Sequence, residues 1–476
     1  MAEELHQAVA SADEAAAGKL PTARFDRADW YSFAVTTTLL LAVYLFTLAP
    51  EVTLDYSGFL SAGAIYGGVV HPPGYPLWTI YSWCFTKLLP FSTIAWRVAA
   101  GSAVASALAC GIIALIVSRG GGILMRGSSG FAHLTSQQKV WLRLVCGYVA
   151  GMALGLSGTV WRKAVIVDIW ALSLLLFSLI VCCALRWMSE PQRKRFIYTA
   201  FFLLGLVLTS SQEMIVTLPA LICVTMLGSR KLGRDLAFTI LPLAVVATGS
   251  NQFGFWLDFF HVWNRPMFFA FLAVTILGLA LVMNTRGFGS QWKAAMFSCA
   301  LFLLGLSFYL YLPVASMTNP PMNWGYPRTV EGFFHVLTRG QYEKAFPTDD
   351  LGRYLEQLWL FFKMIGTELG WPYFFLLAIP PCLFLRMNRV TRKWLIALVA
   401  LMVCVGFVLV AEMNLSPDRQ SQELLTFYFM PAFAVLSIMA GLGLTFLGGI
   451  LTKPVKRLVN KIPRLLPHFT SATVAR

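Results

Sequence analysis

The chain has 476 residues, 58% of them hydrophobic and only 12% charged, with a mean hydropathy of +0.69. A soluble core of this size cannot hide that much apolar surface, so an ordinary soluble globule is excluded. The net charge of +15 would point to nucleic acid in a soluble protein, but no nucleic-acid motif is present and a membrane accounts for the pattern.

Residues 1–30 are polar and Ala/Glu-rich, which predicts a cytoplasmic arm without a cleavable signal peptide, ending in an interfacial turn near 26–30. Twelve apolar segments follow, at about 31–49, 97–117, 142–160, 164–185, 197–210, 213–228, 236–256, 267–283, 294–312, 358–387, 394–411 and 426–449. A membrane span needs ~20 residues. The two short segments flanking Gln212 therefore read as one broken helix or a hairpin. Segment 358–387 is interrupted by Gly366, Gly370 and Pro372, which predicts a kink or an interfacial lead-in helix. Of the 37 Lys and Arg residues, 26 fall in connections that parity assigns to one side, the tail included. That is the positive-inside pattern, with anionic phospholipid headgroups as partner. The expectation is an all-α polytopic membrane protein with about twelve transmembrane helices. It comprises an N-terminal arm (1–30), a membrane domain (31–452) with long outside loops at 50–96 and 313–357, and a basic cytoplasmic tail (453–476). Both termini are cytoplasmic. Loop 50–96 is too apolar to be free, and its pieces 59–66 and 77–89 read as short helices along the interface; 351–360 is amphipathic. The nine cysteines lie mostly in apolar stretches, lack zinc-type spacing, and read as small hydrophobes.

The chemically unusual residues gather in the outside connections. Asp55, past the first span, either caps the helix starting near Ser57 or serves as a general base, which needs a partly apolar setting. In His71-Pro72-Pro73-Gly74-Tyr75-Pro76, three prolines fix the backbone and the glycine permits a tight turn. The result is a rigid platform presenting His71 and Tyr75. As an imidazolium His71 could hold phosphate; as a neutral ring it could only position a polar partner. Arg162 and Lys163, cations on the less basic side, either snorkel to headgroups or contact a lipid-linked phosphate. Gln212 and Glu213 cap a hairpin or face a cavity, because an unpaired carboxylate at membrane depth is costly. Asp258, His261, Asn264 and Arg265 form a further outside cluster with too few ligands for a metal. Asn323-Trp324-Gly325, after Pro320-Pro321, suits a sugar or headgroup but also an ordinary turn. Near the last span, Asp418 and Arg419 read as an internal pair or a substrate contact. No metal site and no cofactor are expected.

The string from Asp55 to Leu77, with Gly67-Gly68-Val69-Val70-His71-Pro72-Pro73-Gly74-Tyr75-Pro76-Leu77, resembles the domain-of-unknown-function 2723 family. This multispanning family includes bacterial members and animal protein O-mannosyltransferases. Tyr311-Leu312-Pro313, Asn319 to Gly325, and Phe333-Phe334-His335 through Gln341-Tyr342 are also similar to it. The resemblance implies a GT-C-type glycosyltransferase, using a polyprenyl-phosphate sugar such as a mannose-like hexose donor and a protein, glycan or lipid hydroxyl acceptor. It implies Asp55 as the catalytic acid–base position. His71, Tyr75, Arg162, Lys163, Gln212, Glu213, His261, Arg265, Asn323 and Trp324 would contact donor phosphate or sugar, with Pro72, Pro73, Gly74 and Pro76 as framework. Two positions depart from the family: Ser211 replaces a histidine, and Phe59 replaces an acid. The implied location is a bacterial inner membrane with the site facing the periplasm. A transporter or flippase of a lipid-linked or anionic substrate, or an inactive envelope scaffold, are the alternative readings.

Overall fold

The computed structural model describes residues 25–54, 56–126, 129–248, 265–342, 347–348 and 350–459. Asp55, Asp258, His261, Asn264, the arm 1–24 and the tail 460–476 lie outside the described residues. Among the described residues the chain is helical throughout, apart from one isolated parallel bridge between Val69 and Asn323.

Each of the twelve apolar segments contains a helix, and the boundaries follow local chemistry. The first helix, Arg27–Phe46, begins at Asp26 in a reciprocal capping box with Asp29, a device worth about 1 kcal/mol. Residues 26–30 therefore open the helix instead of making a separate turn. Thr135 and Gln138 cap Ser136–Gly155 in the same way. The segment expected at 358–387 is two helices, Leu351–Leu369 and Pro372–Cys382, separated at Gly370 with φ 87°. The chain also breaks around Gln212, where Arg195–Leu208 gives way to a 3₁₀ turn, Gln212–Val216, and then Thr217–Gly228.

Among the described residues, six helices are long and apolar enough to cross a membrane, seven if Ser136–Gly155 and Gly158–Ala164, bent by 71°, count as one span. Four shorter apolar helices accompany them. The protein is an integral membrane helical bundle; a count of twelve full-length spans is not reproduced among the described residues. The 33-residue helix Ile94–Arg126 is its centre, packing against Arg27–Phe46, Ser136–Gly155 and Trp170–Ser189. Met430–Val459 closes the other side, against Pro372–Cys382 and Ser136–Gly155. Gly151 lets two of these helices touch, since a Cβ there would lie 2.7 Å from the Cys110 carbonyl.

The loop 50–96 folds as expected into two short helices, Ser57–Tyr66 and Pro76–Leu88. A second, small apolar cluster of Val69, Tyr309, Leu312, Ala315 and Val336 forms where this loop meets the loop 313–357. That junction positions the site.

Candidate active site

The loops 50–96 and 313–357 are joined through their backbones. Val69 N–H donates to the Met322 carbonyl at 2.8 Å, and Trp324 N–H donates to the Val69 carbonyl at 3.0 Å. The Tyr311 hydroxyl donates to the Gly67 carbonyl. Gly68 makes this approach possible, because a Cβ there would sit 2.3 Å from the Met322 carbonyl oxygen. The adjacent string turns sharply: Gly74 N–H donates to the His71 carbonyl at 2.9 Å, and Gly74 has φ +89°. The Pro72–Pro73 peptide is cis. Tyr75, left-handed at φ 42°, then caps the helix that opens with Pro76 at its first position.

This framework fixes an aromatic box. The His71 ring stacks on Tyr56 at 5.3 Å, meets Phe59 edge-on at 5.2 Å, and lies 5.0 Å from Tyr75. Its Nε2 is 3.4 Å from the Tyr75 hydroxyl, while its Nδ1 is buried without a hydrogen-bond partner. Burial, reinforced by the positive charge of Arg339, pushes the imidazole down to about 4. Of the two roles open to His71, the imidazolium one is therefore disfavoured near neutral pH: the ring is neutral and can only position a polar group. Phe59 bridges His71 to Trp324, its ring 5.2 Å from the first and 6.1 Å from the second. Trp324 Nε1 donates to Gln341 at 2.6 Å. Asn323 donates to the Ser316 carbonyl at 3.2 Å, leaving its own side-chain oxygen buried and unpartnered.

Gln212 and Glu213 enter from the broken helix. Gln212 Nε2 donates to the Leu337 carbonyl at 2.9 Å and the Tyr309 hydroxyl at 3.2 Å, and Tyr309 donates onward to the Leu208 carbonyl. Glu213 is buried and hydrogen-bonded to Ser211, with Oε1 free. The Ser211 hydroxyl sits 2.7 Å from the Ser173 hydroxyl.

The group that unites these residues is Arg339, which the sequence did not single out. It follows the Val330–Leu337 helix in a left-handed turn, φ 56°. Its charge acts on Tyr75, Tyr428, Glu213 and Tyr309 together, and Tyr428 is hydrogen-bonded to it. Burial opposes the guanidinium charge, while the neighbouring Glu213 carboxyl and the phenol oxygens of the three tyrosines favour it. Burial pushes the Tyr75 hydroxyl up, with Arg339 opposing. The Arg339 Nε is buried without a partner, so a donor remains for an incoming oxyanion. One signal was visible: a cation between a helix end and Gly340, within a segment already matched to the family.

The two cations at 162–163 separate. Lys163 is buried, 2.9 Å from Asp168, and lies over the Phe427 ring at 4.7 Å. Phe427 in turn contacts Trp170 and Tyr428. Arg162 is exposed. Near the last span, Arg419 pairs with Glu423 at 2.9 Å, while Asp418 caps its helix through Ser421. The expected Asp418–Arg419 pair is thus replaced by an i,i+4 pair. Arg265 opens a helix reaching Thr285. Among the described residues no group of three metal-ligating side chains occurs.

The fold and the site define a helical integral membrane protein whose polar centre is built by two joined loops at one end of the bundle. Residues 57–233 match the family described as the protein O-mannosyl-transferase TMEM260 N-terminal domain, so the family resemblance read from the string around His71 is borne out over that segment. Similar proteins include the protein O-mannosyl-transferase TMEM260 of Mus musculus, 38% identical over 104 residues, covering 21% of this chain and 15% of that one. The protein O-mannosyl-transferase tmem260 of Dictyostelium discoideum is 22% identical over 435 residues, or 86% of this chain and 44% of that one. The chain thus spans less than half the length of either relative. Among solved structures, a crystal structure of ArnT from Cupriavidus metallidurans bound to undecaprenyl phosphate aligns with 94% of this chain and 67% of its own, at 12% identity and a TM-score of 0.43.

Proposed function

We propose that the protein is a membrane glycosyltransferase of the O-mannosyltransferase kind, moving a sugar from a polyprenyl-phosphate donor to a hydroxyl acceptor at the outer ends of its helices. The observation that carries this reading is the meeting of His71, Tyr75 and Glu213 around Arg339, with Trp324 joined to His71 through Phe59.

The residues divide the work according to charge. Arg339 holds the departing phosphate, where a fixed cation in an apolar setting gains most as negative charge develops. Arg162, at the exposed rim, receives the phosphate from the lipid side. Lys163 is neutralised by Asp168 and orients Phe427 and Trp170 instead of acting as a free charge. Neutral His71, with Tyr75 and the Asn323 oxygen, orients sugar hydroxyls, and the rings of Phe59 and Trp324 offer a sugar an apolar face. Asp55 takes the proton of the acceptor hydroxyl. The acceptor oxygen forms the new bond to the anomeric carbon while the carbon–oxygen bond to phosphate breaks. Its electron pair leaves with the lipid phosphate, and the configuration inverts. Glu213 tunes the charge of Arg339 and stays out of the transfer.

The test is purified protein presented with a panel of polyprenyl-phosphate sugars, scoring released lipid phosphate and glycosylated acceptor. Both products appearing together, and both vanishing in Arg339→Gln, is the expected result. Donor binding without either product would remove the enzyme reading.

A further inference from the structure

The short helix that carries Arg162 and Lys163 is held by a residue from a distant part of the chain. Gly158–Ala164 leaves the preceding helix, Ser136–Gly155, at an angle of 71°. The first N–H groups of a helix need acceptors from outside it. Ser157, the residue placed to cap this one, supplies no side-chain bond to it; its hydroxyl turns back to the Leu154 carbonyl at 2.7 Å. The acceptor comes instead from 209 residues along the chain. Glu368 takes the Thr159 N–H on Oε2 and the Thr159 hydroxyl on Oε1, both at 2.7 Å. At its other end the short helix is fastened to the first span. Trp161 Nε1 donates to the Thr47 hydroxyl at 3.0 Å, and Ala49 N–H donates to the Val165 carbonyl at 2.9 Å. Thr159 is buried and Arg162 exposed. Arg162 follows Thr159 by roughly one turn, so the start of the helix cannot swing without carrying the guanidinium with it.

Glu368 stands near the end of Leu351–Leu369, and that helix is itself anchored. Gln357 Nε2 donates to Asn414 Oδ1 at 2.8 Å and to the Leu415 carbonyl at 3.0 Å, while the Tyr354 hydroxyl donates to the Phe407 carbonyl at 3.1 Å. Phe361, fully buried, packs on the ring of Phe429 at 5.0 Å. Phe429 adjoins Tyr428, which is hydrogen-bonded to Arg339. From Phe361 to Glu368 is about two turns, or roughly 10 Å. One helix therefore reaches both cations assigned to the donor phosphate. It meets Arg339 through Phe429 and Tyr428, and Arg162 through Thr159.

We propose that Glu368 is a positioning residue for the donor: by clamping Thr159 it fixes the place of the Arg162 guanidinium, and so the affinity with which the lipid-linked phosphate is received. This rests on the assignment of Arg162 to that phosphate. Glu368 itself touches neither donor nor acceptor and exchanges no proton with them. A carboxylate that only capped a helix would set stability alone; one that places Arg162 also sets phosphate affinity, and only while Arg162 is present.

The test measures binding of a polyprenyl phosphate, and of the same polyprenol without phosphate, to the full chain in neutral-lipid nanodiscs, with the melting temperature recorded alongside. Glu368→Ala should raise the Kd for the phosphate about tenfold and leave polyprenol binding unchanged. Glu368→Gln, whose carbonyl oxygen can still accept the Thr159 N–H, should recover most of the affinity. In an Arg162→Gln background, Glu368→Ala should weaken binding by less than about twofold further, because the group it places is gone. If Glu368→Ala does not fold, Thr159→Ala, which removes only the hydroxyl bond, carries the same comparison with a smaller loss. A folded variant that melts lower but binds the phosphate as wild type does would overturn the proposal. So would an equal loss with Arg162 absent, an equal loss for polyprenol, or a wild-type protein that binds no polyprenyl phosphate. Phosphate affinity that depends on Glu368 without any sugar transfer would remove the enzyme reading and support this one. Intact transfer with an affinity indifferent to Glu368 would do the reverse.

Discussion

Replacing Arg339 with Gln removes the guanidinium charge while keeping a polar amide on a shorter stem. Four groups surround that charge, Tyr75, Tyr428, Glu213 and Tyr309; Tyr75, Tyr309 and Glu213 keep their bonds to His71, Leu208 and Ser211 in the variant, while Tyr428 loses its hydrogen bond to Arg339. If Arg339 stabilises the departing phosphate, its loss resembles removing one oxyanion donor, about 10²–10³ in kcat or roughly 2.7–4 kcal/mol. A separate cost falls on folding, because Glu213 loses its cationic neighbour and a buried carboxylate left unpaired takes up a proton instead. The double variant Arg339→Gln/Glu213→Gln separates the two effects. Its melting temperature should recover part of the loss, since the orphaned acid is gone, while its rate stays as low as that of the single variant. Release of lipid phosphate in single turnover, at saturating donor, reads the chemistry apart from binding. A single variant that melts lower yet transfers within about threefold of wild type would refute the assignment and leave Arg339 a purely structural residue.

Other consequences can be checked on the same protein. His71, with its folded pKa near 4, should show no imidazole titration between pH 5 and 8 in NMR of His-labelled protein; a midpoint above 6 would mean the ring is an imidazolium near neutrality. Because that pKa is depressed below the unfolded value, the ring's stabilisation is complete above about pH 6.5 and is lost progressively as pH falls toward 4. Gly68→Ala places a Cβ against the Met322 carbonyl, so the two loops must part at a cost of about 1–3 kcal/mol; the expected readout is a lower melting temperature and weaker donor binding, and an unchanged protein would mean the junction yields freely. Asp55→Asn should keep donor affinity but lose transfer by about 10²–10⁴, and transfer at the wild-type rate with both substrates bound would exclude Asp55 as the base.

The helices were legible in the sequence because membranes impose length, apolarity and a charge bias. That the loops 50–96 and 313–357 lie together was less so, because it rests on two backbone hydrogen bonds at Val69 and on a close approach permitted by Gly68, neither of which periodicity reveals. His71, Gln212 and Asn323 stood out through their company of prolines, amides and aromatics. Arg339 did not, because its importance comes from Tyr75, Glu213, Tyr309 and Tyr428, which are scattered over more than 350 positions and meet only in the fold. The reverse held for Lys163, conspicuous in sequence as a cation on the less basic side. Asp168, five residues on, neutralises it. Phe59 is instructive too: its sequence neighbours say nothing of its place, yet it links His71 to Trp324.

The central claim is sugar transfer at the junction of the two loops, and its most direct measurement is paired product analysis with a polyprenyl-phosphate sugar labelled in both lipid and sugar. The account predicts equal molar release of lipid phosphate and glycosylated acceptor, with the anomeric configuration inverted and both products lost in Arg339→Gln. Tight donor binding with neither product, or sugar carried across the membrane still attached to its lipid, would contradict it.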